Sequence, residues 1–485
     1  MSNVTELWQQ GAGELAKAIR AKDVSSRELL ELYLTRIDAA NPRLNAVVTL
    51  DPERAHRAAS AADEAVARGD DLGPLHGLPI TVKDALETEG MRSTGGATEL
   101  RDHVPMEDAP AVARVKAAGA IVFGKTNVPK WSGDSQTHNE LFGVTRNPWD
   151  DSRSPGGSSG GPAVSVACGF SAFEIGTDIG GSIRMPAHFT GICGHKPSFG
   201  IVPSRGYLDY AGGGSTEADI NVVGPLARRV ADLDLLLGVL AGADEHRAAG
   251  WRLQLPPPRP GRRVGLWLDD DGCPVDAEVA TVLEAAARLL EADGTTIDAA
   301  SRPVDFGESM SVFHALLSSA VSPGLSDDIW DLARQVDAVP VTEGEDPLIE
   351  MGRGTVIRHR DWIHFDERRE RLRRQWSTWF ADHDALLCPV VPVAALPLSD
   401  EDLLSRTMTV NRLTRPANDL IQWPGLIGVA YLPSTVVPVG RTASGLPVGI
   451  QVVGPFLGDR TSMSMARRLE ELSGGYQPPP LAELP

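Results

Sequence analysis

Two serine-bearing glycine turns and one lysine are the residues of this chain best suited by type and spacing to do chemistry. SPGGSSGG, residues 154–161, holds Ser158 and Ser159 between glycine pairs, and GTDIGGSIRMPA, residues 176–187, holds Ser182 at the start of a short predicted helix. A phosphate cradle needs a lysine after its glycines, or Gly-x-Gly-x-x-Gly directly after a strand, and the first turn offers neither. Gly157-Ser158-Ser159-Gly160-Gly161 does fit the Gly-x-Ser-x-Gly elbow, with Ser159 as nucleophile. That reading needs an acid (Asp384 or Asp419) and then a histidine, and none follows His383. The second turn offers a different chemistry. Backbone N–H groups converging where a helix begins can hold an oxyanion, with Ser182 beside them as nucleophile. Its base could be Lys83, which closes the apolar run Leu78–Val82, provided burial keeps the amine neutral. Only seven lysines occur, none after Lys196, so a catalytic lysine has few positions to occupy.

Elements must hold these turns in place. Ser25 and Glu28 form a capping box for a helix over 25–40, whose Leu29, Leu30, Tyr33 and Ile37 share a face. A second helix over 54–68 closes near Gly69. Strands at 78–82 and 120–123, with a helix over 109–118 between them, begin an α/β alternation. A small-residue helix follows at 161–170, an amphipathic one at 227–241 and another at 276–292. Further strands are predicted at 264–267, 386–389 and 449–453. PPPRPGRR, 256–263, reads as a surface crossing within one continuous sheet. Residues 300–350 read as irregular, and the arginine-rich helix 358–380 as carrying a solvated mixed-charge face.

Bulk composition narrows the function classes. The chain has 485 residues and a net charge of −19, which disfavours nucleic acid and anionic membranes as partners. No apolar run reaches membrane-spanning length and MSNVTELWQQ lacks signal-peptide features, so a cytoplasmic protein is expected. Cys168, Cys193, Cys273 and Cys388 lack metal or redox spacing, and His138, His188 and His195 read as structural. No metal is expected.

GLPITVKD, SPGGSSGG and GTDIGGSIRMPAHFTGICGHKP together resemble the defining blocks of the amidase signature family. GKTNVP at 124–129, NPWD at 147–150, GPLARRVADLDLLL at 224–237 and GLPVGIQVVGPFLGDR at 445–460 extend the resemblance over nearly the whole chain. The resemblance implies an α/β fold: a large mixed, mostly parallel twisted sheet with helices on both faces. It implies a single domain over 1–485, with N-terminal helices (1–70), a signature core (71–245) and a C-terminal half (263–485) that includes a variable substrate region at 300–375.

It also implies a Ser-cisSer-Lys triad of nucleophile Ser182, bridging Ser158 and base Lys83. The oxyanion hole would be the N–H groups of Ile179, Gly180, Gly181 and Ser182, with Ser159, Asp178 and Arg184 supporting the loops. Trp131 and Ser132 would line the acyl pocket, while Lys125 and Lys196 match structural positions. The implied activity is cofactor-free hydrolysis of a small-molecule amide, with esters or carbamates as further substrates and homodimerisation left open. The apolar Phe313, Leu316, Leu317, Ile329 and Trp330 point to hydrophobic or aryl amides. Two alternatives stand beside this: the amidase subunit of a glutamine-dependent amidotransferase, and a non-catalytic binding protein on the same scaffold.

Overall fold

The computed structural model describes residues 4–300, 302–339 and 347–483. Local sequence sets the early helices as expected. Ser25 Oγ accepts from the Glu28 N–H while Glu28 accepts from the Ser25 N–H, starting the helix Ser26–Leu44. Asp51 caps Pro52–Arg68, which Gly69 closes at a φ of 77°.

A three-stranded sheet contains β1 (Val47–Leu50), β2 (Pro79–Lys83) and β3 (Ile121–Thr126) in the order β1-β3-β2. β2 and β3 run parallel, with Val82 opposite Lys125 and Lys83 opposite Thr126. The main sheet has eight strands: β4 (Glu174–Asp178), β5 (Cys193–Lys196), β6 (Val222–Ala227), β7 (Arg263–Leu266), β8 (Thr296–Asp298), β9 (Ala385–Pro389), β10 (Ser434–Arg441) and β11 (Pro447–Val453). Their spatial order is β8-β7-β9-β11-β10-β5-β6-β4. The chain after PPPRPGRR thus continues the same sheet, but β2 and β3 stand apart from it, and β2 packs against β4.

The main sheet is mixed, as expected, but it is not mostly parallel. Only β8/β7 and β7/β9 pair in parallel, and the other neighbours are antiparallel. For β10 and β11 the reason is local: they are joined by residues 442–446, too short for the crossover that parallel strands need.

Two further expectations change. Residues 300–350 are largely helical where described, with helices Phe306–Val321 and Asp327–Asp337 and the start of Pro347–Thr355. The first buries Phe306, Met310, Phe313, Leu316 and Leu317 together with Ser309, His314 and Ser318, and burial all round blurs the 3.6-residue pattern. The arginine-rich helix, His359–Trp379, is more than a solvated face. Arg369 is buried between Asp219 and Asp366, and Arg368 clasps Glu308 with two hydrogen bonds of 2.7 and 2.9 Å. The Arg369–Asp219 pair ties the variable region to the signature core, while the other two hold the variable region together. Among the described residues, no helix is long and apolar enough to cross a membrane.

Candidate active site

Lys83 ends β2 and is fully buried. Its Nζ lies 2.7 Å from both Ser158 Oγ and Thr177 Oγ1. The Gly157–Ser158 peptide is cis. The Ser159 N–H donates to the Ser182 carbonyl at 3.1 Å, so the two glycine-serine turns are tied together through backbone. Ser158 has no exposure and Ser182 keeps 8%, so Ser182 is the member of the trio that an entering molecule can reach. The glycines permit this packing. A Cβ on Gly161 would come within 2.4 Å of the Asn127 backbone, and Gly181, at a φ of 109°, would meet Pro424 at 2.8 Å. Burial pushes the Lys83 amine down to about 7, against the opposing pull of Asp178 and Glu174. A lysine at that value is half neutral near pH 7 and can accept a proton.

Asp178 and Arg184 lock the second turn. Both are fully buried, joined through Asp178 Oδ1–Arg184 Nη2 at 2.8 Å and Oδ2–Nε at 3.0 Å. Arg184 Nη1 donates to the Pro424 carbonyl and to Gln451 Oε1. Burial alone would raise the Asp178 carboxyl, but Arg184 holds it below its ordinary value. Asp178 also accepts from the N–H groups of Gly181 (2.9 Å) and Ile183 (3.1 Å).

That bond corrects one expectation. The Gly181 N–H is committed to Asp178 and does not point into the site. The N–H groups of Ile179, Gly180 and Ser182 have no protein acceptor among the described residues. Arg184→Leu should destabilise the fold by about 3–5 kcal/mol, because it strands a buried carboxylate. Urea unfolding measures this, and a loss below about 1 kcal/mol would show that the pair behaves like a surface bridge.

Trp131 and Ser132 occupy successive left-handed conformations, with φ of 52° and 56°. The Trp131 N–H donates to Gly95 O at 2.8 Å. The hydroxyl of Tyr207 lies beside those of Ser132 and Thr177, while burial pushes it up to about 12. On the other side, a Cβ on Gly180 would lie 3.6 Å from Ile421 and 3.9 Å from Phe313. Phe313 thus reaches the second turn. Leu316 and Leu317 are core residues, Ile329 is 44% exposed, and Trp330 Nε1 donates to Ser322 O.

Sequence reasoning does not single out Thr177, Tyr207, Gln451 or Glu174. Thr177 lies inside the GTDIGGSIRMPA stretch, but strand alternation does not reveal a partner in another sheet.

The remaining candidates are committed elsewhere. Ser159 Oγ is buried and donates to the Thr177 carbonyl at 3.4 Å. His188 bonds Gly449, and His195 pairs with Asp459 at 3.1 Å, so neither serves Ser159. Asp419 pairs with Arg415, and Asp384 accepts from the Arg262 N–H, which leaves the elbow without partners. Lys125 Nζ bonds Leu86 O, Thr88 Oγ1 and Ser93 Oγ, and Lys196 Nζ bonds Pro197 O and Leu432 O. Among the described residues, no group of three metal-ligating side chains converges. Cys168 is buried, with its thiol pushed up to about 12.

The family model for amidases matches residues 28–463. The chain belongs to the amidase family. Its members are hydrolases of amide carbon–nitrogen bonds, and this amidase has relatives over its full length. It is 32% identical to a glutamyl-tRNA(Gln) amidotransferase subunit of Thermosynechococcus vestitus, over 96% of this chain and 98% of that one. The same-named protein of Anaeromyxobacter sp. is 33% identical, over 98% of both chains. Among solved structures, a bacterial aryl acylamidase of the amidase signature enzymes superposes with a TM-score of 0.79 at 25% identity, over 96% of both chains.

Proposed function

We propose that this amidase cleaves carboxylic amides through an acyl-serine intermediate, with Ser182 as nucleophile, Ser158 as proton bridge and Lys83 as base. The observation that carries the reading is a buried lysine bonded to two hydroxyls, one on the turn tied to Ser182. Ser182 Oγ attacks the carbonyl carbon. Its proton passes to Ser158 Oγ as the Ser158 proton passes to Lys83 Nζ. The developing oxyanion is held by the N–H groups of Ile179, Gly180 and Ser182. The C–N bond breaks as the leaving nitrogen takes a proton from Ser158, which Lys83 resupplies. Water then attacks the acyl-serine ester, loses its proton along the same relay, and releases the acid and Ser182. Asp178, Arg184 and Ser159 hold the two turns. No metal or organic cofactor enters these steps.

The substrate class is read from the walls. Phe313, Ile421 and Pro424 crowd the second turn with apolar surface. This supports a small hydrophobic or aryl amide, with esters and carbamates within the same chemistry. The curated relatives favour a second reading, the amidase subunit of a glutamine-dependent amidotransferase, which would work with partner subunits. Free glutamine carries an ammonium and a carboxylate, and the apolar groups at Gly180 and Gly181 offer no counter-charge to either. The purified chain alone should therefore show a higher kcat/KM for an anilide than for glutamine. A higher value for glutamine would replace the first reading by the second. A cytoplasmic location belongs to the same proposal, supported by the acidic composition.

A further inference from the structure

Glu174 begins β4 and is fully buried. Its hydrogen bonds are to uncharged groups: Oε1 accepts from Thr81 Oγ1 at 2.6 Å, and Oε2 from the Ile175 N–H at 3.2 Å. A carboxylate buried without a bonded cation is costly, so the site favours taking up a proton. Thr81 and Lys83 lie two residues apart on β2 and share a face of that strand. Both reach β4, Thr81 at Glu174 and Lys83 at Thr177. Thr81 Oγ1 is also 2.9 Å from Ser165 Oγ, and either atom can donate. Thr81 can thus donate to a carboxylate, or accept from a carboxylic acid and turn its own proton to Ser165. The network holds Glu174 in either charge state without moving a heavy atom.

We propose that Glu174 is a positioning residue for Lys83: a buried, proton-exchanging carboxyl whose charge sets the pH at which the lysine becomes a free base. The proposal rests on the reading of Lys83 as base. Burial pushes Glu174 up to about 7, with the hydroxyls of Thr81 and Thr126 and the charge of Lys125 acting against it. Glu174 is in turn one of the two carboxylates that resist the fall of Lys83. Charged Lys83 with ionised Glu174, and neutral Lys83 with protonated Glu174, contain the same number of protons. Only the second arrangement leaves a lone pair on Nζ.

The surrounding charges single out this carboxyl. β3 contributes Lys125, which faces Asp84, and β4 itself contributes Asp178, which Arg184 keeps ionised. Beyond Asp178, Lys196 of β5 joins the same group. The helix Gly160–Ala167 and β6, both packed on β4, contain no ionisable side chain. Of the two carboxylates acting on Lys83, Glu174 is the one free to change its charge near neutrality.

Glu174→Gln tests this, since the amide can donate to Thr81 and accept from the Ile175 N–H as a carboxylic acid would. The acidic limb of kcat/KM should move to lower pH by about 0.5–1 unit, making the variant several-fold more active than wild type near pH 6. An unmoved limb, an upward shift, or an equal loss at every pH would overturn the proposal. Should the variant not fold, infrared spectra of wild type labelled with ¹³C-glutamate take its place. A glutamic-acid C=O band should then rise as pH falls, in step with the loss of activity, and its absence overturns the proposal. If Lys83→Arg keeps its turnover, the base reading itself falls. If that variant is inactive and Glu174→Gln leaves the limb in place, only the role of Glu174 falls.

Discussion

Lys83→Arg should lose at least about 10²-fold in kcat, the low end for removal of a general base. Arginine keeps the charge and much of the length but does not deprotonate at accessible pH. Lys83→Met, which removes the charge and suits the buried site, should be equally inactive and controls for misfolding of the bulkier variant. The wild type should show an acidic limb in kcat/KM near pH 7. The lysine works as a base only when deprotonated, so activity rises with pH through the value of about 7 that burial imposes. A depressed pKa alone does not identify the base, because burial also lowers Lys196 to about 7 and Lys125 to about 8. Their bonding separates them. Lys196 is tied to two carbonyls, and Lys125 to a carbonyl and the hydroxyls of Thr88 and Ser93, away from either serine turn. Methionine at either position should lower stability yet leave kcat of the folded fraction near wild type. Near-normal turnover in folded Lys83→Arg, with an unchanged limb, would mean that the base lies elsewhere.

Ser182→Ala should cost at least about 10⁴-fold in kcat, because no acyl intermediate can form and only binding and oxyanion stabilisation remain. The same substitution should abolish labelling by an active-site phosphonate, which in the wild type should leave its adduct on Ser182. The 8% exposure of Ser182 makes that attack sterically open, whereas Ser158 and Ser159 have no exposure. Ser159→Ala should retain most activity, since that hydroxyl makes one long bond to the Thr177 carbonyl. Mass spectrometry placing the adduct on Ser159 would overturn the assignment and restore the elbow reading.

Sequence alone determined much of the frame and named its turns. The capping box at Ser25 and Glu28, the helix closed by Gly69 and the strand ending at Lys83 all depend on neighbours within a few residues, and the structure has them where local pattern put them. The glycine-serine turns were legible for a related reason: at Gly157, Gly160, Gly161 and Gly181 a Cβ would come within 2.8 Å of neighbouring atoms, and that requirement is written in residue type. Pairings between distant segments were not legible. Strand alternation gave no sign that β2 and β3 leave the main sheet, or that most neighbours within that sheet run antiparallel. The helix Phe306–Val321 was hidden because it is buried on nearly every side, which erases the contrast that period analysis needs. Tertiary structure alone decided that Thr177 receives Lys83, and that Glu174 lies beside them with no bonded cation among the described residues. Each depends on where a side chain from one sheet meets backbone or hydroxyls of another. Such contacts arise from packing after the chain has collapsed, and residue spacing carries no record of them.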